Sequence, residues 1–199
     1  MKHIVITQRQ DYNPLNDEIR DALDIAWHYL LKEAGIIPTL LPNVFAEETS
    51  LNEWLDRVEP DGIILSGGNS IGEMDRRDKT ELLLLDYAEK KQMPVLGVCR
   101  GMQLMAHRAG ANLKEVDGHV RARHLVKFND GSTREVNSFH QYEISDALGE
   151  YNCVGYCSDG VIEKIVHKRF PWSAIMWHPE REKPFHIEDI KFLQNIFGS

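Results

Sequence analysis

A cysteine stands between two glycines in "MPVLGVCRGMQLMAHRAG", residues 93–110, where an apolar run meets a helical pattern. Cysteine is common in cores as a small hydrophobe, so its presence alone assigns no chemistry to Cys99. The G-x-C-x-G spacing does more. A nucleophile on a sharp strand-to-helix turn needs small neighbours, because the backbone there is crowded and strained, and Gly97 and Gly101 supply them on both sides. A helix beginning near Arg100 aims its free N–H groups and positive dipole end at the sulfur, surroundings that lower a cysteine pKa to roughly 3.5–7.5. The N–H of Arg100, next after the cysteine, is also placed to donate to an oxyanion.

A thiolate nucleophile needs a proton carrier and a group that orients it. The segment "SAIMWHPER" puts His178 directly after an apolar strand, with Glu180 two residues on. His178 can take the thiol proton and return it to a leaving amine, while Glu180 holds the imidazole and stabilises its charged form. A surface histidine at a strand end is the commoner fate of any one histidine. His-Pro-Glu after one strand and G-x-C-x-G after another seldom coincide by chance.

These residues need elements to position them. "HIVITQ", "IIPTLLP", "DGIILSGG" and "MPVLGV" read as short strands. Between them, Ile19, Ala22, Leu23, Ala26 and Leu30 recur at helical spacing with Gly35 as the stop. Leu51, Trp54, Leu55 and Val58 mark a second helix, and Leu82, Leu83, Leu85, Tyr87 and Ala88 a third. Strands alternating with helices imply parallel βαβ units in an open α/β sheet, whose strand ends are where ligands bind. After Gly110 come "HLVKF", "TREVNS", "YNCVGYCS", "VIEKIVH" and "WSAIMWH", short strand-like segments that predict an antiparallel addition to the sheet. "HIEDIKFLQNIFGS" predicts a covering C-terminal helix. The expected fold is a flavodoxin-like layered α/β sheet with added C-terminal antiparallel strands, in a single domain over residues 1–199.

The chain has 199 residues, enough for one substantial core, and a formal charge of -8, which argues against nucleic acid as a partner. Its three cysteines suggest no disulfide framework. Cys153 and Cys157 lack the second pair or nearby histidines of a zinc site, so no metal or organic cofactor is expected. No stretch is long or apolar enough for a membrane span or secretory signal, which makes a cytoplasmic location the expectation.

"GVCRGMQL", "SGG", "VNSFHQ", "DGVIEKI" and "WHPE" occur in the order found in class I glutamine amidotransferase domains. The chain most resembles the free-standing branch of γ-glutamyl hydrolases and γ-glutamyl-γ-aminobutyrate hydrolases, over nearly its whole length. The resemblance implies a Cys99–His178–Glu180 triad and a γ-glutamyl thioester intermediate. It implies that Gly67 and Gly68 join Arg100 in the oxyanion hole, that Gln103 binds the glutamyl moiety, and that Ser138, Phe139 and His140 contact its α-amino and α-carboxyl ends. An ordinary strand-ending turn remains open for the glycine pair, and a turn role for Ser138.

The family often carries aspartate and proline soon after the glycine pair, where this chain reads "SGGNSIGEMD". Asn69, with Ser70 and Glu73, then faces a different leaving group or lies in a variable loop. "GHVRARHLVK" gathers His119, Arg121, Arg123, His124 and Lys127 in an acidic protein. A solvated hairpin face is the default for such a run; a pocket for an anionic leaving group, with Arg121 and Arg123 as ligands, is the sharper alternative. The implied activity is hydrolysis of a γ-glutamyl amide to glutamate and an amine, on a small-molecule substrate. The resemblance leaves both γ-glutamyl-aminobutyrate and γ-glutamyl-CDP-amidate, of capsular phosphoramidate synthesis, as substrates. "ITQRQDYN", "NDEIRDAL" and "RFPWSAIMWHPER" lean toward the second. The rivals are a glutaminase subunit feeding ammonia to a separate synthetase, and a non-catalytic binding or redox-sensing module on the same scaffold.

Overall fold

The run Ile4–Ile6 has no polar member, and all three side chains are fully buried, as a strand covered on both faces requires. In the computed structural model, which describes residues 1–145 and 148–198, it belongs to strand β1 (Lys2–Ile6). There follow β2 (Arg9–Asn13), β3 (Glu18–Ala22), α1 (Ala26–Glu33), β4 (Ile36–Leu40) and α2 (Glu48–Val58). Next come β5 (Gly62–Leu65), α3 (Asp75–Lys91), β6 (Val95–Val98), α4 (Arg100–Arg108) and β7 (Leu113–Glu115). The remaining strands are β8 (Val120–Phe128), β9 (Thr133–Phe139), β10 (Tyr142–Ile144), β11 (Tyr151–Cys157), β12 (Ile162–His167) and β13 (Trp172–Ile175). A 3-10 turn over Pro179–Arg181 and helix α5 (Ile187–Phe197) complete the chain.

Nine strands form one sheet in the order β4-β1-β5-β6-β13-β12-β11-β8-β9. The first five are mutually parallel, and the last four continue the sheet with each antiparallel to its neighbour. Alternation along the strands sorts the core into two layers. Val5, Ile63, Leu65 and Val95 pack with α2, α3 and α4 through Leu51, Leu55, Leu84 and Met102. Ile4, Ile6, Ile64, Leu96 and Val98 pack on the other face with α1 and α5 through Trp27, Leu30, Leu31 and Leu193. The expected layered α/β fold with helices on both sides is the one observed.

Two expectations need correction. The helical spacing that begins at Ile19 does not make a helix there: Glu18–Ala22 pairs antiparallel with Arg9–Asn13, and α1 starts only at Ala26. Ile19 is 53% exposed, so its place in the periodicity reflects no burial. What fixes the hairpin is polar and distant in sequence. The Asp21 carboxylate accepts from the backbone N–H of Asn43 (2.8 Å), the Asn43 side chain (2.8 Å) and Gln10 (3.1 Å). Asp24 then caps the true helix start by accepting from the N–H of Ala26 (2.9 Å). The second correction concerns "WSAIMWH". β13 pairs parallel to β6, with Trp172 opposite Val95 and Ile175 opposite Val98, while only its other edge is antiparallel, to β12. Trp172, Ala174 and Ile175 are all buried, as a central strand between two neighbours demands.

Helix α4 crosses β5 closely enough that a side chain on Gly101 has no room. A Cβ built there lies 2.2 Å from the Leu65 carbonyl oxygen and 2.8 Å from Leu65 Cβ. Gly101→Ala is expected to destabilise the fold by about 1–3 kcal/mol or more, because the contact is with backbone and cannot relax by a rotamer change. Urea denaturation measures this; an unchanged midpoint contradicts the close packing.

Candidate active site

Cys99 follows the last residue of β6 and precedes α4, with φ 51° and ψ −104°. A non-glycine residue at positive φ carries strain of order 1–3 kcal/mol, and it persists only where the surroundings impose it. Here the Cys99 N–H donates to the Ile175 carbonyl (2.8 Å), and its carbonyl accepts from the Gln103 N–H (3.1 Å). On Gly97, a Cβ would come within 2.6 Å of Met105 Sδ and 2.8 Å of the Gly101 backbone. The two glycines thus let strand and helix approach each other closely enough to hold the turn.

Because β6 and β13 are parallel and in register at Val98 and Ile175, the chain leaves both strands at the same sheet edge. That brings His178 to Cys99. His178 Nδ1 lies 2.8 Å from Glu180 Oε1, so with a carboxylate as its partner Nδ1 carries a proton and Nε2 is left for the sulfur. Cys99, His178 and Glu180 are all buried. Burial pushes the Cys99 thiol up, but the hydrogen-bonded His178 imidazole, with His140 and the Arg100 N–H, outweighs it and holds the thiol below its ordinary value. Burial also acts against a charged His178. Glu180 and Cys99 overcome it and raise the imidazole to about 9. Each of the two groups thus favours the charged form of the other.

One residue that steadies His178 carries no mark in the sequence. The buried Asn137 side chain accepts from the His178 N–H (2.9 Å) and donates to the His178 carbonyl (2.8 Å) and to Glu182 (2.8 Å). It lies inside "VNSFHQ", one position before the expected ligands. The Phe139 ring meets the His178 ring edge-on at 5.7 Å.

The glycine pair sits against this assembly. A Cβ on Gly67 would lie 2.7 Å from His178 Cε1, and Gly68 has φ +100°. The Arg77 guanidinium fixes the peptide planes before them by donating to the carbonyls of Ser66 (2.8 Å) and Gly67 (3.0 Å). Arg77 Nε also donates to Glu81 (3.0 Å), and Glu81 pairs in turn with the buried side chain of Arg100, which also holds Asp78. Burial pushes Glu81 up, yet the two guanidinium groups keep its carboxyl below the usual range.

A cavity of about 230 Å³ opens onto the sulfur, lined in part by Gly68, Asn69, Arg100, Gln103, Phe139 and His140. Gln103 Nε2 donates to the Tyr142 carbonyl (3.0 Å), which fixes its amide at the wall. His140 Nδ1 meets the same carbonyl at 3.0 Å, and Glu163 holds this buried imidazole above its ordinary value against the effect of burial. Ser138 is turned away from the cavity: its hydroxyl donates to the His119 carbonyl (2.7 Å). The Asn69 amide is spent on the hairpin, accepting from the Gln10 N–H (2.8 Å) and donating to the Gln10 carbonyl (2.9 Å). The expected ligands Arg121 and Arg123 do not line the cavity. Arg121 is exposed at φ 55°, and Arg123 pairs with Glu135 (2.8 Å) and Glu182 (3.1 Å) at the surface. Arg181 lines it as well, its guanidinium over the Phe139 ring at 4.4 Å. Its signal in the sequence was its position directly after His-Pro-Glu.

The ion pair has a measurable signature. The rate of iodoacetamide alkylation of Cys99 is expected to rise with pH through an inflection below that of an ordinary cysteine. In His178→Ala burial is no longer opposed by the imidazole, so the same inflection should move upward. A wild-type profile that coincides with the variant's contradicts the pair.

The chain is 30% identical to the γ-glutamyl-CDP-amidate hydrolase of Campylobacter jejuni over 98% of its own length and 97% of the relative's. It is 31% identical to the carbamoyl phosphate synthase small chain of Bacillus cereus over 64% of its length, spanning 36% of that protein. The structure of a GMP synthase subunit from Thermoplasma acidophilum superposes with a TM-score of 0.74, at 21% identity, over 100% of this chain and 93% of the other; this likeness is one of fold. Residues 4–180 match the Peptidase C26 family profile. The chain belongs to the Peptidase C26 family of class I glutamine amidotransferase-like proteins.

Proposed function

We propose that this protein is a cysteine hydrolase that cleaves a γ-glutamyl amide to glutamate and an amine. The observation that carries the reading is the buried Cys99–His178–Glu180 arrangement on a strained elbow, with the imidazole raised to about 9. Cys99 thiolate attacks the side-chain amide carbon. The N–H groups of Arg100 and of the Gly67–Gly68 turn receive the oxyanion, and losing one such donor typically costs about a hundredfold or more in rate. His178 gives its proton to the departing amine, then takes one from the water that resolves the thioester. Glu180 supports the imidazolium at each stage. Gln103 and the Phe139–His140 segment hold the glutamyl head within the cavity.

The near-full-length similarity to a γ-glutamyl-CDP-amidate hydrolase favours a leaving group that carries phosphate. Arg181 at the cavity wall suits that group, since a guanidinium binds phosphate oxygens in a bidentate manner. A second reading, a glutaminase subunit that passes ammonia to a synthetase, draws on the similarity to the carbamoyl phosphate synthase small chain and to the glutamine-hydrolysing GMP synthase subunit of Methanothermobacter thermautotrophicus. Free glutamine separates the two: a synthetase-bound glutaminase hydrolyses it well only with its partner present. No helix among the described residues is long and apolar enough to cross a membrane.

The test is a panel of γ-glutamyl amines, γ-glutamyl-CDP-amidate and glutamine, offered to the purified chain. Cys99→Ala is expected to retain less than about 1% of the hydrolysis of whichever amide is accepted, with Cys153→Ala remaining active. Residual activity above a few per cent of wild type removes the cysteine mechanism. Arg181→Ala is expected to raise KM for a phosphate-bearing substrate about tenfold or more while changing a neutral γ-glutamyl amide much less. Equal effects on both substrates assign Arg181 to packing on Phe139 alone.

A further inference from the structure

Beside the catalytic cavity, three buried polar side chains converge from segments far apart in sequence: His119 before β8, His140 after β9 and Glu163 on β12. Their outer bonds decide where the hydrogens lie. His140 Nδ1 faces the Tyr142 carbonyl at 3.0 Å, and a carbonyl only accepts, so this nitrogen carries a hydrogen. His119 Nε2 faces Asp159 Oδ2 at 2.9 Å and likewise carries one. Asp159 remains a carboxylate: burial pushes it up, but the bonds from His119 and from the Val161 N–H hold it below its ordinary value.

That leaves a gap in which His119 Nδ1, His140 Nε2 and Glu163 Oε1 face one another. The two nitrogens are 3.1 Å apart, and the oxygen lies 3.3 Å from His140 Nε2 and 3.7 Å from His119 Nδ1. With no hydrogen in the gap, two lone pairs would point at each other and at a carboxylate. With two, a pair of N–H groups would collide. One hydrogen satisfies all three atoms, and it belongs to His140. From Nε2 it reaches His119 and Glu163 together, whereas from His119 Nδ1 the carboxylate is out of bonding distance. His140 then carries a hydrogen on each nitrogen and is an imidazolium.

Charge balance requires the same state. Glu163 has no exposed surface, its Oε2 has no hydrogen-bond partner, and among the described residues its ion pairs are with these two histidines. A carboxylate so buried needs a cation beside it. The other groups around the pair supply none. Burial and Glu163 push the Cys157 thiol up, so it keeps its proton and donates to Glu163 Oε1 at 3.5 Å. Burial and the adjacent imidazoles push His124, whose ring lies 4.0 Å from that of His119, below its ordinary value. The remaining ionisable neighbour is Cys99, which favours a charged His140 as His140 favours the thiolate. Both ring nitrogens of His140 are committed to protein partners. What its side chain presents to the cavity is a positive charge with no free N–H.

We propose that Glu163 is a positioning residue for the nucleophile: by holding the second hydrogen on His140, it keeps a standing positive charge beside Cys99. The inference rests on the reading of Cys99 as the nucleophile. His178 gives up its proton during the reaction; His140, with both hydrogens bound to the protein, keeps its charge throughout. His119 and the half-exposed Asp159 contribute the tautomer that turns a lone pair toward His140.

Ring nitrogen spectra of the full chain with 15N-labelled histidine test the charge. The signals that His140→Gln removes should belong to a ring protonated at both nitrogens at neutral pH. That ring should titrate above the ordinary midpoint of about 6.5, and below it in Glu163→Gln. Iodoacetamide tests the consequence. Glu163→Gln should slow alkylation of Cys99 about tenfold at a pH below the wild-type inflection, the scale on which one nearby charge acts. The direction is diagnostic, because losing the carboxylate with His140 still charged would speed the reaction. In a His140→Gln chain, Glu163→Gln should add less than about a twofold change, which a merely structural role for Glu163 would not obey. A wild-type His140 ring with a bare nitrogen at neutral pH overturns the proposal, and this spectrum decides even where Glu163→Gln does not fold. Alkylation of Glu163→Gln as fast as wild type, or equal slowing in both backgrounds, overturns it too. Neither readout uses a γ-glutamyl amide, so failure here leaves the proposed hydrolysis standing.

Discussion

Glu81 has no exposed surface and stands between two guanidinium groups that are themselves buried. An isolated carboxylate in that place would be prohibitively costly, and removing one partner of a buried ion pair typically costs about 3–5 kcal/mol. The network repays its desolvation through geometry. Through Arg77 it reaches the carbonyls of Ser66 and Gly67, and through Arg100 it reaches the first residue of α4. The turn that would receive an oxyanion and the elbow that presents the sulfur are thereby parts of one charged assembly. Neither can shift without opening an ion pair in a place that water does not reach.

The electrostatics of Cys99, His178 and Glu180 sit on this frame and oppose burial by a different route. Cys99 and His178 are each disfavoured as ions by their surroundings, and each is the other's remedy, with Glu180 tipping the balance. Low dielectric penalises either charge alone and also strengthens the attraction between them. Asn137 adds what charge cannot, a fixed backbone for His178, by pairing with both its N–H and its carbonyl.

Much of this was readable from the chain, for identifiable reasons. Strands β1, β5 and β6 are short continuous apolar runs, and α2 to α5 show clear helical spacing, so local pattern sufficed. The Cys99 elbow announced itself through two glycines whose role is steric and local. The β2–β3 hairpin did not, because its register is set by Asp21 reaching Asn43, and a five-residue segment with Ile19 and Ala22 fits either period. Arg121 and Arg123 looked like the anion site because they cluster in sequence, whereas strand alternation and the bulge between Val120 and Ala122 carry them away from the cavity. Arg181 lines the cavity instead. Asn137 and the His119–His140–Glu163 cluster were hidden for one common reason: their meaning lies in partners more than 20 residues away.

The parallel pairing of β13 with β6 also has a consequence in time. The two strands are separated by more than 70 residues, and a non-local pairing of that kind must wait until the intervening chain has been made. Until Ile175 arrives, nothing accepts the Cys99 N–H, and until His178 follows it, nothing draws the proton from the sulfur. A nascent or partly folded chain therefore carries an ordinary thiol. The lowered thiol is thus a property of the closed β6–β13 pairing and not of the segment that carries the cysteine.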